Sequence, residues 1–201
     1  MTSLAVHPQR NSIRLQLRRN RVLEGMTPAQ WAELEPLLVL ADYRKGDRLV
    51  RQGDEEMEQF FILEGMLKRV VSNPQGREMI LRFAAETEMD TSYAAWRLRT
   101  PTPYSIVAVT KVRAAGLSMS LWVEFLERHP DVKSRFEYEV MKLMSEVMAH
   151  SITLHLLDAP GRLLRFQRKH PELSGRIPKK ELAAYLNLTP ETLSRLKQKL
   201  G

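Results

Sequence analysis

The chain has 201 residues, 43% of them hydrophobic, and a net charge of +7. This is enough apolar material for a buried core and too much for a disordered chain, and the length allows one large domain or two small ones. The chain has no cysteine, which excludes a disulfide framework, a thiolate zinc site and a cysteine-ligated iron–sulfur cluster. No apolar run is long enough for a transmembrane helix, so a cytoplasmic setting without a membrane partner is expected.

Charge is unevenly placed. Residues 1–22 carry +5, residues 158–201 carry +6, and the stretch between them carries −4. A basic end on a mildly acidic body is the electrostatic footprint of a polyanion binder. Residues 1–22 form a basic N-terminal extension. Ile13-Arg14-Leu15-Gln16-Leu17-Arg18 alternates like a short strand, and the segment reads as flexible or edge-packed rather than as a targeting sequence.

A first domain is expected over 23–119. It opens with a helix over 27–40, capped by Thr27 with Pro28 at the first helical position and with Trp31, Leu34, Leu37 and Leu38 on one face. From Val39 to Ser118 the pattern changes to strands at Arg48–Arg51, Gln59–Leu63, Leu67–Ser72, Met79–Phe83 and Tyr104–Leu117. Turns such as Gln52-Gly53-Asp54 and Asn73-Pro74-Gln75-Gly76 separate them, which predicts a β-sandwich or barrel. Ala84–Pro103 reads as a short helix and loop inserted into it.

Residues 120–157 read as connecting and dimerisation helices. Ser120–His129 is ended by Pro130, and Asp131 to Leu157 is free of Gly and Pro. Phe136, Val140, Leu143, Val147 and Leu154 follow the heptad spacing of a dimer seam, with His150 and Ser151 completing it. Asp158-Ala159-Pro160-Gly161 reads as a breaker and hinge. Beyond it, residues 158–201 form a small basic helical domain with helices over Arg162–His170, Pro178–Leu186 and Pro190–Leu200.

The last two helices meet at Asn187, a residue that tolerates the left-handed backbone of a tight turn. Leu182, Ala183 and Leu186 face Leu193, Leu196 and Leu200. This is the pattern of a helix-turn-helix, whose second helix enters the major groove of double-stranded DNA. Glu191 is suited to cytosine N4 and Arg195 to guanine O6 and N7. Thr189, Thr192 and Ser194 stand near the helix N-terminus, and Lys179, Lys180, Lys197 and Lys199 add attraction for phosphate.

Lys45-Gly-Asp, Gln52-Gly-Asp, Phe60-Phe-Ile-Leu-Glu-Gly65, Gly76-Arg-Glu and Thr189-Pro-Glu-Thr-Leu-Ser-Arg195 together resemble the cyclic-AMP receptor protein / fumarate–nitrate regulator (Crp/Fnr) superfamily. The phrasing of the last motif resembles a Bacteroidetes-like subgroup. The resemblance covers about residues 25–200 and implies an α+β chain: a cyclic-nucleotide-binding-like β-roll (jelly roll), a long dimerisation helix and a C-terminal helix-turn-helix. It implies a homodimeric, sequence-specific transcription regulator, with RNA polymerase and an unidentified small-molecule effector as further partners. Glu191 and Arg195 match the family's base readers, and Pro190 replaces a reading arginine. No full wing is expected after the second helix, because the sequence runs out at Gly201.

Relatives that bind cyclic AMP carry a Gly-Glu pair followed by an Arg-Ser pair. Here Tyr93-Ala94 and Tyr104-Ser105 stand in those places. A tyrosine cannot replace the charge of the phosphate-binding arginine, so cyclic AMP is not expected to bind. Met79, Leu81, Tyr93, Trp96, Arg97, Arg99, Tyr104 and Ser105 outline the pocket that remains. Haem is the other ligand weighed: His129, His150, His155 and ten methionines are raw material for axial ligation, but none sits in a signature. The chain lacks a Gly-rich phosphate loop, Gly-x-Ser-x-Gly and His-Glu-x-x-His, so no enzyme activity, catalytic residue, metal or cofactor is assigned. The rival reading is a sensory or interaction module that no longer binds DNA.

Overall fold

The computed structural model describes residues 2–200. Gly201, the end of the expected C-terminal domain, and the side chain of Leu200 lie outside the described residues. Two antiparallel sheets form a β-roll. One contains β1 (Thr2–Ser3), β2 (Val39–Tyr43), β9 (Val112–Ser118), β4 (Glu58–Glu64) and β7 (Met89–Thr91), in that spatial order. The other contains β3 (Arg48–Val50), β8 (Ser105–Ala108), β5 (Leu67–Ser72) and β6 (Glu78–Ala84).

Strand β4 shows how the layers are built. Its five central residues are all buried, because each face has its own cover. Phe60 and Ile62 fill the space between the sheets with Leu67, Ile106 and Ala114. Phe61 and Leu63 face a helical layer, where Phe61 meets Trp122 edge-on at 5.5 Å. Gly65 follows with φ +87°, and a Cβ there would lie 2.1 Å from the Lys111 carbonyl oxygen. The expected strand Tyr104–Leu117 is therefore two: it breaks at 109–111, where the chain passes Gly65 and Thr110 accepts a hydrogen bond from the Met66 amide. Strands β2 and β7 were not expected from the sequence.

Residues 2–22 are neither loose nor a strand at Ile13. They pair at the sheet edge through β1 and then form α1 (Arg10–Leu17). Ile13 and Leu17 are buried in one core cluster with Leu4, Val22 and Trp31, while Leu15 is 65% exposed. Spacing by four, not by two, decides the element. Its arginines serve the fold. Glu35 is 1% exposed and accepts from Arg10 Nε at 2.8 Å, with Arg14 at 3.4 Å. The guanidinium groups of Arg14 and Arg18 lie over Trp31 at 5.3 and 5.9 Å. The helix expected over 27–40 is shorter: α2 (Pro28–Leu34) carries a Thr27/Gln30 capping box, and a 3-10 turn at Pro36 delivers the chain into β2.

Three helices follow the β-roll before the helix-turn-helix. Helix α4 (Met119–Arg128) and the 27-residue α5 (Pro130–Leu156) close the helical layer through Trp122, Phe125 and Phe136. The expected break at Asp158–Gly161 is present: α5 ends at Leu156 and a new helix starts at Ala159. Asp158 caps α6 (Ala159–Lys169), its Oδ1 accepting from the Gly161 amide at 2.9 Å. Proline at the start of a helix is tolerated because its missing N–H has no partner there anyway. Among the described residues, no helix is long and apolar enough to cross a membrane.

The helical reading of residues 10–17 separates residues that a strand would place together. Leu17→Ala is expected to cost about 2–5 kcal/mol and Leu15→Ala less than about 0.5 kcal/mol in denaturant unfolding. Equal costs would contradict α1.

Candidate nucleic-acid interface

The C-terminal unit contains α6, α7 (Lys179–Tyr185) and α8 (Pro190–Leu200). Between α7 and α8, Asn187 adopts φ +53°, and the Leu188 amide donates to the Ala183 carbonyl at 2.8 Å. Leu182, Ala183, Leu186 and Leu193 are buried at the crossing. Arg162 braces the turn by donating to the carbonyls of Leu157 at 2.9 Å and Leu186 at 3.0 Å.

The expected DNA-facing residues divide into groups. Thr189 caps α8, its Oγ1 accepting from the Thr192 amide at 3.1 Å. Glu191 and Arg195 are exposed, and with Lys199 they recur at spacings of four, so they form one line on the helix. Thr192 lies beside that line, and Arg195 Nη2 is 3.4 Å from its Oγ1. Hydrogen bonds from its own backbone amide and from Thr189 hold the Glu191 carboxyl below the usual range, so it is ionised; Lys179 also favours the charge. Lys179 and Lys180 are exposed at the start of α7. Ser194 is half-buried. Lys197 is exposed, but its place two residues after Arg195 puts it on the far side of the helix.

This unit packs on the β-roll as well as following the long helix. It shares one hydrophobic cluster with the β-roll, in which Met66, Val70, Ile80 and Phe83 pack with Leu163, Phe166, Leu173 and Leu182. Tyr185 lies at the junction: its ring stacks on His150 at 3.7 Å and 2°, and meets Phe83 at 5.2 Å and Phe166 at 5.7 Å. Lys68 Nζ reaches Glu181 at 2.8 Å, and Arg176 reaches Glu86 at 2.8 Å.

The expected dimer seam is corrected by this packing. Phe136, Leu143 and His150 are buried inside their own chain, and Val140 packs on the helical core. Val147 and Leu154 are half-buried, and Ser151 is exposed. The unpartnered apolar face of α5 lies elsewhere. Tyr138, Met141, Met144, Met148, Ile152 and Leu156 are all 48–76% exposed.

The expected effector pocket does not assemble either. Met79 is 49% exposed at one end of β6. Leu81 packs at the margin of the inter-sheet core. Tyr93 and Trp96, on α3 (Tyr93–Leu98), stack on each other at 6.4 Å, and Tyr93 meets Phe136 at 5.0 Å. Arg97 and Arg99 are exposed beside Trp96 on an open groove. Ser105 accepts from Arg48 at 2.9 Å and from the Gln52 amide at 3.0 Å. Tyr104 donates to the Thr91 carbonyl at 2.8 Å, and its ring covers the Arg69 guanidinium at 4.0 Å. Arg69 is hydrogen-bonded to fully buried Asp90, with Arg82 3.7 Å from the second carboxylate oxygen. Sequence reading missed this cluster. Its only signal was two arginines inside apolar strands.

His129 engages Glu33 at 3.0 Å, while His150 lies at the other end of α5, about 30 Å along the axis. These two histidines do not share a haem. No group of three or more His, Asp or Glu able to hold a metal ion occurs among the described residues.

A cyclic nucleotide-binding domain matches residues 40–129. The nitrogen fixation regulation protein FixK of Bradyrhizobium diazoefficiens is 23% identical over 92% of this chain and 81% of its own length. A CRP-like cAMP-activated global transcriptional regulator of Mycobacterium tuberculosis is 21% identical over 74% of this chain and 66% of its own. Among solved structures, a transcriptional regulator of the Crp/Fnr family from Eubacterium rectale superposes with TM-score 0.72 at 15% identity, covering 90% of this chain and 87% of that one. The fold defines a cyclic-nucleotide-type β-roll coupled to a helix-turn-helix. The fold is the one shared by the Crp/Fnr transcription regulators, to which the chain is similar. None of these relatives bears on the narrower Bacteroidetes-like grouping.

Burial lowers the His150 pKa from 6.5 to about 4. The unfolded chain takes up a proton between those values that the folded chain refuses, so stability falls as pH drops from 6.5 towards 4. His150→Phe keeps a ring against Tyr185 and is expected to flatten the unfolding midpoint across that window. A residual slope comes from His170, which burial also lowers. An unchanged pH profile would contradict the packing at Tyr185.

Proposed function

We propose that the chain is a homodimeric regulator that reads double-stranded DNA with α8. The observation that carries this is the exposed line Glu191–Arg195–Lys199 on a capped helix, within a segment of net charge +6. Phosphate contacts from Lys179, Lys180 and the helix N-terminus set the register, and Glu191 and Arg195 supply base readout. Thr192 holds the Arg195 side chain near its reading position. Ser194 and Lys197 stand at the margins of this surface.

The exposed stripe Tyr138–Met141–Met148–Ile152 follows steps of three, seven and four, and is too apolar to face water along a 27-residue helix. A second copy of α5 is its natural cover. Inside the β-roll, Arg69 is engaged by Asp90 and covered by the Tyr104 ring, which supports a regulator with no free arginine there for a cyclic phosphate. The regulator works without cyclic AMP.

Arg195→Ala is expected to relax discrimination at one base pair per half-site by about 1–3 kcal/mol, read by competition between operator variants. A uniform loss over all sequences would make Arg195 a phosphate contact. Met148→Glu is expected to give a monomer by light scattering and to lower operator affinity. An intact dimer would place the interface off this stripe. Titration calorimetry with cyclic AMP is expected to show no heat of binding, and micromolar affinity would contradict this reading.

A further inference from the structure

The C-terminal unit packs on the β3–β8–β5–β6 sheet, on the face turned away from the inter-sheet core. There Val70, Ile80 and Phe83 share a cluster with Leu182, Ala183 and Tyr185. Apolar contact of this kind is strong but non-directional. A binding element has to be held within about 0.5 Å and 10–20° of its productive geometry, so the aim of α8 needs a directional contact. That contact can act on α7, because α7 and α8 turn together. The Leu188 and Asn187 amides donate to the Ala183 and Ala184 carbonyls at 2.8 and 3.1 Å.

An ion pair supplies the direction. Lys68 of β5 reaches Glu181, in the first turn of α7, at 2.8 Å. The two side chains are 11% and 20% exposed, against 46% and 33% for the Arg176–Glu86 pair across the same junction. Lys68 is firmly held. Strand β5 is hydrogen-bonded to a strand on either side, and the ammonium lies between Glu181 and Glu78, the latter at 3.9 Å. Glu78 in turn pairs with Arg48 at 3.1 Å, and Arg48 donates to Ser105 at 2.9 Å. Charges of alternating sign therefore run from β3 across the sheet to α7.

DNA attraction alone does not account for Glu181. It places a negative charge beside Lys179 and Lys180 in a segment of net charge +6, where it opposes the pull of phosphate. Stability does not account for it either, because an apolar pair of similar volume is often as stable as a buried ion pair. What the ion pair adds is a preferred geometry.

We propose that Lys68 is a positioning residue for DNA reading: it fixes α7 through Glu181, and with it the aim of Glu191 and Arg195 on α8. This rests on the reading that α8 recognises DNA. Lys68 lies on the β-roll and acts only through Glu181.

The test uses the full chain, the duplex that it enriches in a binding-site selection, and a random duplex of the same length. Lys68→Met combined with Glu181→Leu removes the pair at constant net charge. This double variant is expected to keep the parent's Tm to within about 3 °C, and to keep its affinity for the random duplex, which follows charge. Its affinity for the enriched duplex is expected to fall roughly tenfold. Glu181→Gln separates aim from charge, and carries the test alone if the double variant loses stability. Removing a negative charge by itself tightens binding to both duplexes, whereas loss of aim weakens the enriched duplex relative to the random one. The proposal is overturned if the double variant folds and discriminates between the duplexes as the parent does, or if Glu181→Gln gains equally on both. A parent chain that enriches no sequence would overturn the DNA reading, and the positioning role with it, before any variant is compared.

Discussion

The ring of Tyr185 has to be buried from three sides at once. It comes from α7 of the helix-turn-helix, lies flat on His150 of α5, and touches Phe83 of β6 and Phe166 of α6. An aromatic side chain of this size contributes much of the apolar area at such a junction. Its partners come from both halves of the molecule, so neither half completes its core alone. The ion pairs Lys68–Glu181 and Arg176–Glu86 flank it and limit rotation about it. Arg176–Glu86 is partly exposed, and a pair of that kind contributes less than about 1 kcal/mol; Lys68–Glu181 is mostly buried. The apolar junction dominates, and the ion pairs give it direction.

That constraint determines what α5 is available for. One side of the helix is committed to its own chain, from Phe136 at the helical layer through Leu143 to His150 under Tyr185. The opposite side keeps Tyr138, the methionines 141, 144 and 148, Ile152 and Leu156 in the open. A long helix that is apolar on both sides needs a second cover. In the proposed dimer, one α5 therefore positions both the partner and the DNA-reading helix. The β-roll is braced from within. Two buried arginines share Asp90, and Tyr104 stacks on one of them. Buried charge is stable only when paired and hydrogen-bonded; this cluster pairs its charges within the chain, while Arg69 Nε, Arg82 Nε and Asp90 Oδ2 have no hydrogen-bond partner.

The parts legible in sequence were those with local causes. The Thr27 cap, the prolines at 28, 130 and 190, and Asn187 at the turn each act within a few residues, and each falls where the pattern placed it. The strands β4, β5 and β6 were legible because their apolar runs are bounded by turns. Long-range causes were hidden. Ile13, Leu15 and Leu17 satisfy a strand as well as a helix until Glu35 and Trp31, distant in sequence, select the helix. Phe136, Val140, Leu143 and His150 of the expected seam pack within their own chain, because two apolar stripes share α5 and periodicity cannot say which one faces the chain's own core. Met141 and Met148 carried the other stripe at a spacing of seven. The Arg69–Asp90 pair and the Lys68–Glu181 contact join residues whose partners no local pattern announces.

The proposed function requires that α8 read DNA from a twofold-symmetric pair. A binding-site selection with the purified chain and random duplexes, without added ligand, tests this most directly. The expected product is an inverted repeat whose half-sites are centred about 34 Å, or one helical turn, apart. Recovery of no enriched sequence, or of a single unrepeated half-site, would contradict it.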